Sequence, residues 1–302
     1  MIYYPYFRGR QFDLRALTEF AQHAAATDIV PIIEPVRDVP ALPKTIKTFS
    51  KHHQHLAVIQ NPQVDHYDYQ AAKRYPIDDL FEQPEIQRAY VLTPLLPPNL
   101  LSNSLVIVQH YADLNLFLDH DWLPKSATLL VPPEARIRRL LFGRQFGHLF
   151  DHYTVPDHSF EFSAMPDSFW SNDIEFAHEY HEIGFSDYLT QGATYFDHGH
   201  PSRTVALHLI YLNHQQVRIR HFVSDQHDDF KHQREKYFEA LAKAVKWIKN
   251  QPAINQTTAT AKLITLEKEH HFPGMGVLKA LTIEHHLAIM ERYLQSESTE
   301  TN

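Results

Sequence analysis

The chain has 302 residues, of which 43% are hydrophobic and 21% charged, a composition that supports a full hydrophobic core and argues against wholesale disorder. Its net charge of −8 is not that of a basic, nucleic-acid-binding protein, so direct nucleic-acid binding is not expected. The absence of cysteine excludes disulfides and thiolate metal sites. Because no apolar run approaches the roughly 20 residues of a membrane span and the opening residues lack the pattern of a signal peptide, we expect a cytoplasmic protein that does not contact a membrane.

Apolar runs that end on a polar residue or a proline recur along the first half of the chain. The clearest run, Thr27–Val36, leads through β-branched residues to Glu34 and is stopped by Pro35. Such a run, bounded by turn residues, indicates a strand buried on both faces. The predicted strands are, in chain order, Ile2–Phe7, Thr27–Val36, Leu56–Ile59, Ala89–Leu95, Ser104–Gln109, Ala127–Val131 and Gly147–Thr154.

Several of the segments between these strands have apolar residues at helical spacing. The predicted helices run from Gln11 to about Ala26, from about Pro40 to His53, and over Ala112–Leu118 and Ala135–Phe142. Repeated β-α alternation implies a parallel sheet, and a (β/α) barrel-like (TIM-barrel-like) domain accounts best for the number and length of the units. An open doubly wound sheet is the main alternative, although it usually carries a G-x-G-x-x-G loop, which this chain lacks.

The second half of the chain is less regular. Residues 155–201 are aromatic and rich in histidine and aspartate, and we interpret them as an elaborated insertion with one short helix near Ile174–Ile183. Two alternating runs, Thr204–Leu212 and Val217–Val223, predict a β-hairpin, and an amphipathic helix is predicted over Phe230–Lys249. We therefore expect a barrel-like domain over residues 1–250 with a C-terminal β-hairpin, followed over 251–302 by a helical appendage: a linker and a C-terminal helix packed on the barrel.

Polar side chains at the predicted strand ends define a candidate site, because functional groups of barrels gather at the carboxyl ends of the strands. Arginine suits a phosphate or carboxylate, and a carboxylate in such a place serves as a general base or holds a divalent cation. We predict catalytic roles for Glu34 and Asp151 and ligand-binding roles for Arg8, Arg10, Asn61 and His110. Alternatively, Arg8 and Glu34 pair on adjacent strands only to stabilise the rim.

Four further candidates for ligand binding lie in the second half. Asp187 belongs to an acidic-aromatic pair that is either a lid contact or a turn anchor. His208 and His221 lie on the two hairpin strands, where they face each other as metal ligands, as an acid-base pair or as hydrogen-bonded core histidines. Asp225 follows the hairpin and, with Ser224, also suits the N-cap of the next helix.

The sequence contains adjacent histidines but assigns neither a metal site nor a cofactor. The adjacent pair His285-His286 points its side chains about 100° apart on a helix, so a shared metal ion is not favoured, and Glu284-His285-His286 is instead a candidate for docking the terminal helix against the barrel. No metal ligand is assigned, and the sequence leaves the cofactor unknown.

Several segments resemble a known family. Tyr4-Pro5, Arg8-Gly9-Arg10-Gln11-Phe12 and Ala16-Leu17, followed by PIIEPV at 31–36, resemble the start of the phage "beta protein" family and its bacterial relatives of unknown function. Residues 184–188, the hairpin sequences HLIY and IRHFVSD, and His285-His286 also fit the pattern, whereas Asp13 stands where glutamate is more usual.

The resemblance implies a barrel-like α/β fold and a mobile-element setting, in a satellite-phage or prophage cassette that excludes competing phages. Some bacterial relatives occur beside a small protein resembling restriction-type nucleases, which implies a nuclease-like partner encoded nearby. The resemblance carries over no catalytic residue.

Three functions are consistent with these observations. The first is a cytoplasmic defence or exclusion protein whose barrel rim binds an anionic ligand, such as a small molecule or nucleotide, or a partner protein. The second is a hydrolase of phosphoesters or nucleotides, with Glu34 or Asp151 as the base and the arginines as an anion clamp. The third is an immunity or antitoxin subunit that acts through a surface away from the rim.

Overall fold

The structure is a computed structural model of the chain. It describes residues 1–24, 28–64, 67–69, 71, 73–196, 203–214, 216–225 and 229–300, with side chains as far as residue 296. The chain divides into two compact units, one formed by residues 1–151 and 173–188 and the other by residues 152–172 and 189–302.

The first unit contains a nine-stranded parallel sheet with helices along the chain between its strands. Its strands are β1 Ile2–Tyr3, β2 Tyr6–Phe7, β3 Ile32–Ile33, β4 Leu56–Ile59, β5 Ile86–Val91, β6 Leu105–Ile107, β7 Thr128–Val131, β8 Phe146–Phe150 and β10 Gly184–Asp187. Its helices are α1 Gln11–His23, α2 Ala41–Lys51, α3 Tyr111–Asp119, α4 Ala135–Leu140 and α5 Asp173–Glu179. The predicted α/β barrel-like fold is confirmed.

The two ends of this sheet belong to one segment of chain. β1 pairs with β10 and β2 pairs with β3, so that Ile2–Phe7 forms hydrogen bonds on both of its sides. Pro5 divides the segment into the two short strands, since proline has no N–H to donate to a ladder. The sheet therefore curls round until this segment joins its two ends.

The alternation of side chains separates the two faces of the sheet. Val106, Leu129, Val131 and Phe146 pack in one cluster with Leu114 and Phe117 of α3 and Ile137 of α4, so this face carries the helices. The intervening residues, such as Ile107 and Leu130, are fully buried on the opposite face, inside the curl. Strands buried on both faces explain why they are nearly continuous apolar runs.

The second unit is built on a three-stranded antiparallel sheet. Its strands are β9 Asp167–Ser171, β11 Ala206–Asn213 and β12 Gln216–Val223, and its helices are α6 Gln233–Ile248, α7 Thr258–Lys268 and α8 Met275–Glu300. β11 and β12 form the predicted hairpin, with β9 on the far side of β12. Leu207, Leu209 and Phe222 of the hairpin share a core with α6, α7 and α8.

In the second half of the chain, the structure differs from the sequence interpretation in several places. Residues 155–201 hold two strands, β9 and β10, besides the expected short helix. The linker that was predicted at the start of the appendage over 251–302 is followed from Thr258 by α7, an unpredicted helix. Ser224 does not cap α6, which begins nine residues later at Gln233, and its Oγ instead accepts from the N–H of Val205 at 3.1 Å.

Some predicted boundaries lie outside the described residues, namely those at 25–27 and 197–201 and one residue of the hairpin turn. The domain boundary expected between residues 250 and 251 stays a prediction, and it falls inside the second compact unit.

Candidate functional site at the barrel rim

Four side chains form a cluster at the carboxyl ends of β2, β3 and β10, here called the rim cluster: Tyr6, Arg8, Glu34 and Tyr188. Phe7 at the end of β2 is paired with Ile33 at the end of β3. Because the next residues on each strand are Arg8 and Glu34, the register alone places the cation beside the carboxylate.

Both oxygens of the Glu34 carboxylate are engaged. Its Oε2 accepts a hydrogen bond from the Tyr6 hydroxyl at 2.7 Å and pairs with the Arg8 guanidinium, and its Oε1 accepts from the backbone N–H of Gln63 at 2.6 Å. Burial, with the charge of Glu34, raises the pKa of Tyr6, so this hydroxyl stays a neutral donor. Glu34 is fully buried and the Arg8 side chain is only 11% exposed, which makes this a buried ion pair.

Aromatic rings hold the guanidinium of Arg8. Its Cζ lies 5.0 Å from the ring centre of Tyr6 and 5.6 Å from that of Tyr188, within the range of cation–π attraction. The two tyrosine rings contact each other with centroids 4.9 Å apart. Burial raises the pKa of Tyr188 to about 12, with a further contribution from the charges of Glu34 and Asp151.

Gly9 allows the loop after β2 to lie against β3. Its φ is +57°, a conformation that costs an L side chain about 1–2 kcal/mol. A Cβ at this position would lie 2.9 Å from the carbonyl oxygen of Glu34. Glycine is therefore required between Arg8 and Arg10 for both steric and conformational reasons.

Asn61 has a structural role at the rim. Its Nδ2 donates to the carbonyl of Val91 at 2.8 Å and its Oδ1 accepts from the N–H of the same residue at 2.9 Å. The amide thus extends the pairing between β4 and β5 beyond the Ile59–Ala89 pair. Gln63 links Asn61 to the rim cluster, because its side chain donates to the carbonyl of Asn61 while its N–H binds Glu34.

The other predicted rim residues lie further from Glu34. Arg10 is partly exposed at the N-cap of α1, where its N–H donates to Asp13 at 3.3 Å, and His110 is exposed at the N-cap of α3. Asp151 follows β8, is partly exposed and acts electrostatically on Tyr188. Asp187 accepts the Tyr3 hydroxyl at 2.8 Å.

A buried charged triad on the helix-bearing face was not found from the sequence. The Nδ1 of His148 lies 2.6 Å from Glu182 and its Nε2 lies 3.1 Å from Asp173. Burial alone lowers the pKa of His148, but the hydrogen bonds and charges of the two carboxylates raise it to about 9. The imidazolium therefore links β8 to α5 and the turn that follows it.

The histidines predicted to face each other on the hairpin do so. His208 is the register partner of His221, and their Nδ1 atoms lie 2.7 Å apart. Burial lowers the pKa of His208 to about 3 and that of His221 to about 4, so both rings are neutral at pH 7. Two nitrogens at this distance share one proton, which one ring donates and the other accepts.

Two more candidates of the second unit take part in surface and docking contacts. Asp225 is exposed and pairs with Lys243 at 2.6 Å. His285 of α8 contacts the carbonyl of Ile210 through Nε2 at 2.8 Å, so Nε2 carries the proton, and Nδ1 faces the hydroxyl of Thr257 at 2.9 Å. His285 thus docks α8 onto the hairpin and onto the N-cap of α7.

These features define the class of the protein: an α/β barrel-like chain with a buried, aromatic-lined ion pair at one rim. Among the described residues, no three histidine, aspartate or glutamate side chains are arranged to hold a metal ion, and no helix there is both long and apolar enough to cross a membrane. No protein-family model and no curated protein sequence matches the chain significantly.

Proposed function

We propose that the protein is a cytoplasmic exclusion or defence protein of a prophage or other mobile element, and that its barrel rim binds an anionic ligand or a partner protein. Three of the segments that resemble the phage beta-protein family contribute to the rim cluster. Residues 8–12 supply Arg8, residues 31–36 supply Glu34, and residues 184–188 supply Tyr188. This convergence supports the rim as the part of the fold that function uses.

We favour a binding role over a catalytic one because both carboxylate oxygens of Glu34 already accept hydrogen bonds. A general base needs a lone pair within reach of the substrate proton. Glu34 is fully buried, and its oxygens already accept from Tyr6, Arg8 and Gln63. We infer that Glu34 orients Arg8 and fixes the surrounding loops, which gives the rim a rigid frame for a ligand.

The charge of the rim favours an anion or an acidic partner surface. Arg10 is partly exposed one residue beyond Gly9, on the same loop as the buried Arg8. A guanidinium binds phosphate or carboxylate through two parallel hydrogen bonds. The family resemblance adds the nuclease-like neighbour as the candidate protein partner.

Hydrolysis of phosphoesters or nucleotides is a second candidate function, because Asp151 acts electrostatically on Tyr188 and is partly exposed. In that case Asp151 would be the base and Arg10 part of the anion clamp. Turnover of bis(p-nitrophenyl) phosphate that disappears in Asp151→Asn would establish this function, and no turnover with any divalent cation would eliminate it.

Thermal unfolding with a fixed ligand panel tests the binding proposal. The panel is inorganic phosphate, ATP, Mg²⁺, Mn²⁺ and Zn²⁺, each added singly to the wild type. A ligand at 100 times its Kd stabilises the native state by about 2.7 kcal/mol, a rise of several degrees in Tm. We expect a rise with phosphate or ATP in the wild type and none in Arg10→Gln.

Two further variants complete the experiment. Arg15→Gln removes an exposed cation from the same helix and should keep the ligand-induced rise. Glu34→Gln should lower the unliganded stability by about 3 kcal/mol, because it leaves the Arg8 charge unpaired. Anion binding is refuted if Arg10→Gln keeps the full rise or if no ligand shifts the wild type. The alternative, that the rim binds a partner protein, is then tested by co-purification with the nuclease-like protein.

A further inference from the structure

Four side chains of the second unit form a continuous hydrogen-bonded chain. The Tyr153 hydroxyl lies 3.0 Å from Nε2 of His208, the Nδ1 atoms of His208 and His221 lie 2.7 Å apart, and Nε2 of His221 lies 3.5 Å from Oγ of Ser168. The chain ends at Ser168 on β9, which is partly exposed, whereas His221 is only 7% exposed.

Only two proton arrangements satisfy this chain, because each neutral imidazole has one N–H and one acceptor nitrogen. In the first, Ser168 donates to His221, His221 donates to His208, and His208 donates to Tyr153. In the second, donor and acceptor are exchanged in each of these three hydrogen bonds. The first arrangement is that of a nucleophile hydrogen-bonded to a base, which is in turn oriented by a third group.

We propose that Ser168 is a nucleophile for acyl transfer, with His221 as its general base and with His208 and Tyr153 as positioning residues. As Oγ forms a bond to the carbonyl carbon of an ester, its proton passes to Nε2 of His221. The bond from that carbon to the alkoxy oxygen then breaks, and the alcohol leaves with the proton from Nε2. Water hydrolyses the acyl-serine by the same steps and regenerates the hydroxyl.

The surroundings of His221 suit a base that is neutral at rest. Burial lowers its pKa to about 4; the nearby charge of Asp167 acts in the opposite direction and favours the imidazolium that forms during attack, while the charge of Arg220 opposes it. Phe162 stacks on the imidazole with ring centroids 4.4 Å apart and fixes its plane. The ring is therefore unprotonated and held in place at pH 7.

An oxyanion donor follows from the register of β9. The N–H of His221 donates to the carbonyl of Pro166, and Ser168 and Phe169 continue that register opposite Ile219 and Arg218 until the ladder shifts between Arg218 and Val217. Up to that shift, the alternation of an antiparallel ladder turns the backbone of Ser168 toward β12 and the N–H of Phe169 toward the outer edge. β9 is an edge strand of its sheet. The N–H after the nucleophile is thus directed to where a substrate oxygen could accept it.

Exposed apolar side chains in the same segment indicate the class of substrate. Phe160 is 41% exposed and Met165 is 53% exposed, and both lie within eight residues of Ser168. Side chains of this kind favour a carboxylic ester with an apolar acyl chain.

A fluorophosphonate probe with an alkyl chain tests the nucleophile directly. Attack forms an Oγ–P bond and expels fluoride, so the adduct remains on the serine. We expect peptide mass spectrometry to find the adduct on Ser168 in the native protein but not after unfolding in urea. His221→Gln should slow the labelling about 100-fold, the usual contribution of a general base. Ser163→Ala, which removes an exposed serine nearby, should leave the rate unchanged.

A cysteine substitution keeps the proposal testable if the probe does not fit. Since the chain has no cysteine, Ser168→Cys provides a single thiol. A thiol beside His221 should form thiolate more readily and react with iodoacetamide at pH 7 about tenfold faster than the thiol of Ser163→Cys. Adding His221→Gln should remove this difference. Equal rates at the two positions, or no effect of His221→Gln in either assay, would overturn the proposal.

Discussion

A single imidazolium is embedded in the wall of the barrel. His148 donates from Nδ1 to Glu182 at 2.6 Å, its Nε2 lies 3.1 Å from Asp173 in an ion pair, and only 2% of the residue is exposed. Removing its proton would leave two buried carboxylates facing a neutral ring. The charge on His148 is therefore part of the packing of α5 against β8.

The raised pKa of His148 predicts a loss of stability in mild alkali. Its pKa is about 9 in the native state and about 6.5 in the unfolded chain. The stabilisation is fully present below pH 6.5 and is lost as the pH rises through 9, and it amounts to about 3 kcal/mol. Urea unfolding between pH 6.5 and 9.5 should show this loss in the wild type.

Two variants isolate the effect of His148. His148→Asn should be less stable at pH 6.5 and should lack the decline above it. His53→Asn removes an exposed histidine that also pairs with a carboxylate, Glu85, and should keep the wild-type profile. An unchanged pH profile in His148→Asn would refute the assignment of the charge.

The charged pair of the rim cluster could be predicted from the sequence, whereas its two tyrosines and the triad could not. Glu34 and Arg8 each follow an apolar strand directly, and the parallel register brings such positions together. His148 lies within a strand, and its partners Asp173 and Glu182 come from a helix start and a turn. No local pattern shows which strand such carboxylates will face. The roles predicted for Glu34 and Asp151 stay predictions.

At the scale of elements, several helices end on a left-handed residue that is not glycine. His53 follows α2, His181 follows α5 and His270 follows α7, each with φ between +51° and +55°. This C′ position is usually glycine, which adopts positive φ without steric cost. With only eight glycines in the chain, histidine takes this position and bears the strain.

Replacing such a histidine with glycine should stabilise the protein. We expect His181→Gly to increase the free energy of unfolding by about 1 kcal/mol, since φ is +55° and the side chain is exposed. His178→Gly, an exposed position inside α5, should lower it by about 1 kcal/mol. Chemical denaturation of both variants measures these changes in the free energy of unfolding. A loss of stability in both would show that the side chain of His181 is needed.

The missing glycines also explain why helix ends were hard to place. The sequence prediction continued α2 to about His53, whereas the helix ends at Lys51, because no glycine marked its end. Leu56–Ile59 was predicted at its observed bounds, since four consecutive buried apolar residues give an unambiguous pattern. β10 was missed because its sequence, Gly-Phe-Ser-Asp, is short and polar although all four residues are buried.

Across the whole molecule, buried neutral histidines are concentrated in the second unit. Burial lowers the pKa values of His208 and His286 to about 3 and those of His221 and His285 to about 4. In the unfolded chain, the pKa of each of these four histidines is about 6.5. The unfolded state therefore binds more protons than the native state between pH 6.5 and 4, so this contribution to stability is present above pH 6.5 and is lost as the pH falls.

We accordingly expect the second unit to unfold in acid with an uptake of several protons. Trp122→Phe leaves Trp170 and Trp247, both in this unit, as the only tryptophan reporters of an acid titration. In this background, His285→Gln should reduce the proton uptake by about one. His271→Gln, at an exposed position, should leave it unchanged. An acid transition that is equally steep in both variants would contradict the prediction.

The division of the first strand by Pro5 has a consequence for how the chain is made. Ile2 and Tyr3 find their partners in β10, which the ribosome delivers only after every other strand of the barrel. Until then the nascent sheet has two open edges, which can pair with other chains. Contacts between such distant segments also slow folding. Synthesis of this protein should therefore include a period in which the earlier strands need protection, and closure should follow release of Gly184–Asp187 from the exit tunnel.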